Sequence, residues 1–331
     1  MEAEEKYSLA MGTEVVCRIL DIDPDVMIAR AGLAELAHGR TDFRVSAQQY
    51  FNAWNTAAEM AGRPDYVTHL GVNLTRGSII PVFFALACAP DLETGLMRLS
   101  AYKALLGPSI MRVYRRGGVL QIDYDSADPR LELPASLAAL HLTVSVEQAR
   151  AATAHHLCPL AATLKSPEEE RRQIAGHLGI MPDYSDIASL TFSERDARRP
   201  LISENPRLWV DFEEDLKLQL AAHNNQLSMA GRVRACLVDL MTSGRANAED
   251  VCHALSLSRS TLQRRLRAEG ITFQQVLDKT RRELAERYLA KSTLRTDEIA
   301  TMLGYRDPNS FSRSFRRLTG TPPGDFRAGA D

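Results

Sequence analysis

The sequence predicts an α+β domain followed by an all-α domain that contains two helix-turn-helix units. From Met229 nearly to the end, apolar residues recur at spacings of three and four, which is the period of an amphipathic helix. A pattern of short helix, turn and second helix occurs twice in this part, about fifty residues apart. Earlier in the chain, apolar residues alternate on both sides of Gly117 and Gly118, which indicates a β-hairpin.

Two domains are expected because 331 residues exceed the usual length of one domain, about 100 to 200 residues. We predict the first domain over residues 1–222 and the second over residues 229–328. The intervening residues 223–228 are predicted to be a linker, since the stretch beginning at His223 is polar and lacks periodicity.

The first domain mixes helical and strand patterns, which is why we predict an α+β fold for it. The hairpin is expected over residues 110–124, with further strands over 160–165 and 186–192. Helices are predicted over residues 13–19, 27–37, 46–61, 100–106, 146–157, 167–178 and 209–222.

The first helix-turn-helix unit is predicted over residues 247–269. Asn247 is expected to cap a short helix, and Ser258 to cap the helix after the turn, because both side chains accept hydrogen bonds from exposed backbone N–H groups. In this second helix Leu262 and Leu266 face the core at a spacing of four. The polar side chains of the helix are thereby turned outward.

The second unit repeats this arrangement. Thr296 is expected to cap its short helix, and Asp307 or Pro308 to start the next helix. Phe311 and Phe315 then hold core positions equivalent to those of the two leucines in the first unit. A second helix with polar side chains outward is the arrangement that reads base edges in a major groove of DNA.

A long helix predicted over residues 272–290 separates the two units. At 1.5 Å per residue it is roughly 28 Å long. Successive major grooves on one side of B-DNA are roughly 34 Å apart. One chain is therefore expected to put two recognition helices into adjacent grooves.

Charge is distributed unevenly along the chain, whose net charge is −2. Residues 228–331 contain 18 Lys and Arg against 12 Asp and Glu, which gives +6. The remaining residues contain 22 against 30, which gives −8. A basic domain joined to an acidic one is expected when only one of them faces phosphate.

The composition is that of an ordinary soluble protein, with 45% hydrophobic and 25% charged residues. The acidic start of the chain does not resemble a signal peptide, and the longest apolar-rich stretch, residues 78–90, is too short to span a bilayer. We therefore expect a cytoplasmic protein without a membrane segment. Five cysteines without a Cys-x-x-Cys pair are expected to be reduced thiols.

No catalytic, cofactor or metal site is predicted. The sequence has no Gly-x-Ser-x-Gly, no P-loop and no Gly-x-Gly-x-x-Gly. The Asp21-x-Asp23-x-Asp25 pattern lacks the glycine and the closing glutamate of a calcium loop. The pair His155-His156 with Cys158 lacks a second pair of zinc ligands, so a helix end is the preferred interpretation.

The second domain resembles the DNA-binding domain of the AraC/XylS family of bacterial transcription regulators. The resemblance covers about 100 residues and lies in the motifs SRSTLQRRL (258–266), RRELA (281–285), IATMLGY (299–305), FSRSFRR (311–317) and GTPP (320–323). It implies double-stranded promoter DNA as a partner. The residues that it implies in base contacts are Ser260, Gln263, Arg264, Asn309 and Arg313. Those expected to contact phosphates are Arg267, Arg306, Arg316 and Arg317.

The segments Leu20-Asp21-Ile22-Asp23-Pro24 near the start of the first domain and 169–200 near its end resemble, more loosely, the sensory domain of one AraC/XylS branch, the one with an arabinose-binding-like domain. The resemblance implies a small-molecule effector, whose identity and binding residues the sequence does not give. The hypothesis is an effector-controlled activator, a homodimer that would engage RNA polymerase. A ligand-independent DNA-binding protein and an enzyme fused to a DNA-binding tail are the alternatives. The edge formed by Phe212, Leu216 and Leu220 is either a dimer seam or packed against its own domain.

Overall fold

The computed structural model describes residues 6–37, 43–77, 80–225, 228–241, 246–291 and 294–328. Contacts within the chain form two units, one over Lys6–His223 and one that begins at Asn224. The first unit contains strands and helices, and the second is helical throughout its described residues.

The first unit contains a small and a larger antiparallel sheet. Its strands are β1 (Lys6–Ser8), β2 (Arg44–Ser46), β3 (Ser109–Arg116), β4 (Val119–Ser126), β5 (Ala161–Thr163) and β6 (Ala188–Phe192). Its α-helices are α1 (Ala10–Leu20), α2 (Pro24–Arg30), α3 (Ala34–Ala37), α4 (Ala47–Met60), α5 (Tyr66–Gly77), α6 (Phe84–Ala87), α7 (Leu92–Ala101), α8 (Ala135–Thr153), α9 (Glu168–Leu178), α10 (Glu194–Ala197) and α11 (Pro206–Asn225). Two short 3₁₀ helices cover Pro81–Phe83 and Lys103–Leu106.

The larger sheet has the strand order β3-β4-β6-β5. Ile122 on β4 lies opposite Leu190 on β6, and Leu120 lies opposite Phe192. These four side chains are fully buried. Because directly opposed residues of antiparallel strands share a face, this face of the sheet forms the core of the unit.

The helix α8 is the central helix of the first unit. It packs against α5, where Cγ2 of Thr143 would be only 2.6 Å from a Cβ atom added to Gly71. On its other side, the hydroxyl of Ser145 is hydrogen-bonded to that of Tyr124 on β4 at 2.5 Å. Fourteen of its nineteen residues are buried, so α8 has no solvent face over most of its length.

The structure confirms the predicted hairpin, with Gly117 and Gly118 both at positive φ between β3 and β4. It confirms the mixed α+β character as well. The helix predicted over 27–37 is wrong in one respect, since the chain breaks at Gly32 (φ 73°) into α2 and α3. The helix predicted over 146–157 begins eleven residues earlier, at Ala135, and ends at Thr153.

The predicted linker is partly helical in the structure. Residues 223–225 continue α11, and His223 is buried with its ring 5.8 Å from that of Tyr7. The expectation of an irregular segment from His223 was therefore wrong for these three residues, because the imidazole has an apolar partner inside the unit. Residues 226 and 227 lie outside the described part of the chain.

The second unit contains seven helices in its described residues. They are α12 (Met229–Met241), α13 (Ala248–Ala254), α14 (Arg259–Ala268), α15 (Phe273–Lys291), α16 (Thr296–Met302), α17 (Pro308–Thr319) and α18 (Pro323–Ala328). The long α15 agrees with the predicted helix over 272–290.

Two of the three predicted helix caps are confirmed, and so is the predicted start of α17 at Asp307 or Pro308. Asn247, Ser258 and Asp307 each accept hydrogen bonds from backbone N–H groups of the following turn. The prediction for Thr296 was wrong, because the cap is Arg295. Its backbone N–H donates to the carboxylate of Glu298 at 2.9 Å. A side chain from inside the helix therefore accepts the hydrogen bond of the cap residue.

No single helix of the described residues is long and apolar enough to cross a membrane. The bent pair Tyr66–Arg76 and Pro81–Ala87 meets the length and composition limits only when its members are taken together. No disulfide joins the five cysteines, all of which lie in the described residues, and Cys158 is the exposed one.

Candidate nucleic-acid interface

The first helix-turn-helix unit is formed by α13 and α14. Val251 on α13 is fully buried, and Leu262 and Leu266 on α14 are each 1% exposed. The turn is closed by a hydrogen bond from the N–H of Leu257 to the carbonyl of Cys252 at 2.9 Å. Burial of the two leucines fixes the rotation of α14 and turns its opposite face to solvent.

The second unit, α16 and α17, repeats this geometry. Ile299 and Leu303 are fully buried, and Phe311 and Phe315 are each 1% exposed. Gly304 has a positive φ of 69°, which residues with a side chain rarely adopt, and it lets the chain turn between the helices. The equivalence of the leucine pair and the phenylalanine pair is thereby confirmed.

Arg281 on α15 holds the end of α16. Its guanidinium donates to the carbonyls of Leu303 and Gly304, each at 3.2 Å. It also lies 4.3 Å from the ring centroid of Tyr305. A cation is favoured at a helix C-terminus, where carbonyl groups lack partners. No role was predicted for this arginine from the sequence, although the RRELA motif contains it.

Two further side chains fix helix ends in the second unit. The carboxylate of Glu269, directly after α14, accepts from the backbone N–H groups of Met229 and Ala230 at 2.5 and 2.9 Å. Arg327 on α18 donates to the carbonyl of Leu289 on α15 at 3.3 Å. These bonds fix the start of α12 relative to α14, and α18 relative to α15.

The side chains predicted for base contact on the first unit lie on the outward face of α14. Ser260, Gln263 and Arg264 are exposed. The hydroxyl of Ser260 is 3.0 Å from that of Ser258, the helix cap. Neither the amide of Gln263 nor the guanidinium of Arg264 makes a hydrogen bond or ion pair with any residue that the structure describes. Their donors and acceptors are available to a ligand.

The corresponding side chains on α17 are Asn309 and Arg313, and both are exposed. Arg313 donates to the hydroxyl of Ser310 at 3.3 Å. Asp307 accepts from the same hydroxyl at 2.7 Å, and its hydrogen bonds with Ser310 lower the pKa of its carboxyl. Among the side chains predicted for base contact, each of α14 and α17 thus presents one amide and one arginine.

The four arginines predicted for phosphate contact are exposed, but they are not equivalent. Arg317 donates to the carboxylate of Asp278 on α15 at 3.0 Å. The guanidinium groups of Arg267, Arg306 and Arg316 have no hydrogen-bond or ion-pair partner within the described ranges of the chain. A phosphate would compete with an existing partner only at Arg317.

The edge of α11 that sequence analysis considered as a dimer seam is packed inside the first unit. The ring of Phe212 stacks on that of Phe84 with centroids 4.5 Å apart. Leu216 is fully buried, and Leu220 packs against the same core. These contacts favour the alternative of packing against its own domain. Leu218, on another face of the helix, is 64% exposed.

The structure explains the acidic pattern near the start of the chain. The carboxylate of Asp23 accepts from the N–H groups of Asp25 and Val26 at 2.9 and 3.2 Å, so it caps α2. His155 follows the end of α8, and its Nδ1 is 2.7 Å from the carbonyl of Thr153. Among the described residues, no group of three His, Cys, Asp or Glu side chains is arranged to hold a metal ion.

The two units define a class of protein, in which an α+β domain precedes a domain with tandem helix-turn-helix units. Comparison with known families agrees with this. Residues 251–329 match a family described as "Helix-turn-helix domain". Residues 22–201, more than half of the chain, match "Arabinose-binding domain of AraC transcription regulator, N-term". The chain belongs to the AraC family of transcription regulators.

Two individual relatives match part of the chain. The chain is 32% identical over 162 residues to "Ornithine utilization regulator" of Pseudomonas aeruginosa, which covers 49% of this chain and 48% of that protein. It is 37% identical over 101 residues to "HTH-type transcriptional regulator VirS" of Mycobacterium tuberculosis, or 30% of each chain. The chain thus spans about half, or less, of these relatives. The crystal structure of transcriptional regulator CdpR from Pseudomonas aeruginosa has a TM-score of 0.39 and 22% identity, and the match covers 95% of this chain and 98% of that one.

Proposed function

We propose that the chain is a sequence-specific DNA-binding transcription regulator that reads two adjacent major grooves with α14 and α17. The observation that carries the proposal is the repeated geometry of these helices. Each is held by two buried apolar side chains and presents an exposed amide and an exposed arginine. Amide side chains pair with adenine and arginine with guanine in the major groove.

The spacing of the two helices along the chain supports simultaneous binding. The nineteen residues of α15 connect the units. At 1.5 Å per residue this helix is roughly 28 Å long, close to the roughly 34 Å between successive grooves. Ser260, Gln263 and Arg264 are proposed to contact one set of bases, and Asn309 and Arg313 another. Arg267, Arg306 and Arg316 are proposed to contact phosphates, whereas Arg317 must first leave Asp278.

The first unit is proposed to control this binding. A small-molecule effector would bind it and change the population of the state that engages DNA, which requires different affinities for the two states. Activation through RNA polymerase and assembly into a homodimer are further parts of the proposal. They rest on membership of the AraC family and not on a contact within this chain.

The test is to select binding sequences from random DNA with the purified full-length protein. The affinity for the selected sequence is then compared with that for a scrambled sequence across a salt series. The specific sequence is expected to bind at least about 10³-fold more tightly at physiological salt. Both affinities are expected to fall as salt rises, because phosphate contacts release counterions. Equal affinity for the two sequences at every salt concentration would contradict the proposal.

A further inference from the structure

The interior of the first unit contains a lysine without an acidic partner. Lys103, the first residue of the 3₁₀ helix Lys103–Leu106, is 8% exposed. Its ammonium lies 3.3 Å from Nδ1 of His141 on α8 and 5.9 Å from the ring centroid of Tyr124 on β4. No carboxylate of the described residues forms an ion pair with it. A buried charge of this kind is costly unless something pairs with it.

The donors around Lys103 lack acceptors. Because an ammonium only donates, Nδ1 of His141 is the acceptor of their hydrogen bond and the ring proton lies on Nε2. That Nε2 is buried and has no hydrogen-bond partner in the described part of the chain. The Lys103 ammonium has three N–H donors, and one of them serves His141. The pair therefore offers unused donors to a group that accepts.

A third unsatisfied side chain lies on the same face of α8. His141, Ser145 and Gln148 follow at spacings of four and three, which places them on one side of the helix. That side faces the sheet, because Tyr124 bonds Ser145 and stacks on His141 with ring centroids 5.2 Å apart. Both the amide nitrogen and the amide oxygen of Gln148 are buried without a partner in the described residues. Buried polar atoms are usually paired, so this row is exceptional.

The segment that carries Lys103 is held in place by its neighbours. The hydroxyl of Tyr50 on α4 donates to the carbonyl of Leu106 at 3.1 Å. Gly107 follows at φ 127°, and a Cβ atom there would lie 2.7 Å from the ring of Tyr50. The lysine is thus supplied by a fixed turn and not by a free loop, as a pre-organised binding site requires.

We infer that Lys103, His141 and Gln148 form the effector site of the first unit, and that it takes a small organic acid whose carboxylate pairs with the ammonium of Lys103. A carboxylate is an acceptor-only group, which fits the unused donors of Lys103 and His141. The amide of Gln148, which both donates and accepts, would bind a second polar group of the same ligand. This inference rests on the proposed function, because it assigns a ligand class to the control of DNA binding.

The charges that face Lys103 predict how ligand affinity depends on pH. The facing groups are His141 and Tyr124, since Asp123 and Asp125 on β4 alternate to the opposite face of the sheet from Tyr124. Burial lowers the pKa of Lys103 to about 7, and burial followed by the charge of Lys103 lowers the pKa of His141. Burial also raises the pKa of Tyr124, so neither neighbour supplies a negative charge near neutral pH.

Lys103 must be protonated to pair with a carboxylate, and above pH 7 it is largely neutral in the free site. Lys103 in the free site is mostly protonated at pH 6 and mostly neutral at pH 8.5, so carboxylate binding at the higher pH requires Lys103 to take up a proton from solution. The dissociation constant of a carboxylate ligand is expected to rise about 30-fold between these two values.

The experiment is a thermal-shift and calorimetric screen of the full-length protein. The probes are acetate, butyrate, hexanoate, benzoate and L-ornithine, each with its primary amide as the control that lacks a carboxylate. At least one carboxylate is expected to raise the melting temperature of the first unit, and its amide is expected to have no effect. The dissociation constant of that carboxylate is then measured at pH 6 and pH 8.5 on the unmodified protein.

Two lysine variants complete the design. In Lys103→Met the carboxylate effect is expected to disappear. It is expected to persist in the control Lys217→Met, which changes a 62% exposed lysine on α11. Three results would overturn the inference: no response to any carboxylate, an equal response to the amides, or a dissociation constant independent of pH. Specific DNA binding is measured on the same sample. If it is present while the carboxylate response is absent, the inference about the ligand fails and the proposed DNA binding stands.

Discussion

Arg313 and Arg316 lie three residues apart on α17, and both are exposed. Asn309, Arg313 and Arg316 share one face of α17, so the assigned roles differ by position along the helix. Asn309 and Arg313 lie nearer its N-terminal end, whose residues contact base edges in a helix-turn-helix, whereas Arg316 lies in the last turn. One side chain is proposed to read a base and the other to contact a phosphate. A matched pair of substitutions separates these roles.

Arg313→Ala is expected to weaken binding to the selected sequence by about 1 to 3 kcal/mol and to relax preference at one base position. Arg316→Ala is expected to weaken selected and scrambled sequences alike. Its slope of log affinity against log salt is expected to fall by about 0.9, the value for one lost phosphate contact. Electrophoretic or fluorescence titrations at several salt concentrations measure both effects. If the two variants behaved alike, the division between base and phosphate contacts would be wrong.

Lys103 predicts a pH dependence of stability in the free protein. Its pKa is about 7 in the folded chain against 10.5 for an ordinary lysine. Between these values the unfolded chain binds more protons than the folded one, so the free energy of unfolding gains about 1.4 kcal/mol per pH unit from this group. The contribution has the opposite sign to that of a paired lysine, because burial penalises the charged form.

Lys103→Met is therefore expected to stabilise the first unit at pH 7, and the gain is expected to shrink as the pH rises from 7 to 9. Denaturant unfolding of both proteins at several pH values measures this difference. The control is Lys217→Met, for which we expect no such trend. A Lys103→Met variant that is less stable at pH 7, or a difference that grows with pH, would contradict the burial argument.

Helix α11 has one face packed in the core of the first unit and another face exposed to solvent. Leu216 is fully buried and Phe212 stacks on Phe84, whereas Leu218 is 64% exposed. Periodicity alone predicted the apolar edge of Phe212, Leu216 and Leu220. It did not decide between a second chain and the helix's own domain as the partner, because either would bury the same side chains.

Leu216→Ala is expected to destabilise the first unit by about 2 to 5 kcal/mol, since it removes a buried side chain and leaves a cavity. Leu218→Ala on the same helix is expected to change stability by less than about 0.5 kcal/mol. Denaturant unfolding gives both values, and sedimentation at two protein concentrations gives the oligomeric state. If Leu216→Ala dissociated a dimer while leaving the unfolding of the monomer unchanged, the edge would be a dimer seam after all.

The helices of the second unit were predictable from sequence because each has one buried stripe and one exposed face. Leu262, Leu266, Phe311 and Phe315 produce a clear period, and Ser258 and Asp307 mark two helix starts. The start of α16 was misplaced by one residue. There the cap function moved from a side chain at the cap position to Glu298 inside the helix.

The elements of the first unit were predicted less completely, for identifiable reasons. The first half of α8 was missed because it is buried on nearly all sides and therefore has no periodic contrast. The strands β1 and β2 have three residues each, too few for alternation to register. Helix α5 does carry Val67, Leu70 and Leu74 on one buried face, a signal that the sequence analysis did not use.

The two candidate sites also differ in how far they could be predicted from the sequence. The side chains of the nucleic-acid interface could be proposed from sequence, because exposure follows from the core pattern of their own helices. The interior site could not, because Lys103, His141 and Gln148 become neighbours of one sheet face only after α8 packs on β4. Nothing in the sequence around Lys103 shows that it lies inside the unit.

Across the full chain, the uneven charge agrees with DNA binding by the second unit alone. Residues 228–331 carry +6, whereas the remaining residues carry −8. A basic unit is attracted to the phosphate backbone, and an acidic one is repelled by it. The charge distribution therefore agrees with the proposal that the second unit binds DNA and the first unit does not.

The most direct measurement is sequence selection from random DNA, made in parallel with the unmodified protein, Arg264→Ala and Arg313→Ala. The unmodified protein is expected to select two blocks of fixed bases with centres one helical turn apart, about 10 to 10.5 base pairs. Arg264→Ala is expected to relax one block and Arg313→Ala the other, because the two arginines lie on different recognition helices. A single selected block, or loss of the same block in both variants, would contradict the reading of adjacent grooves by one chain.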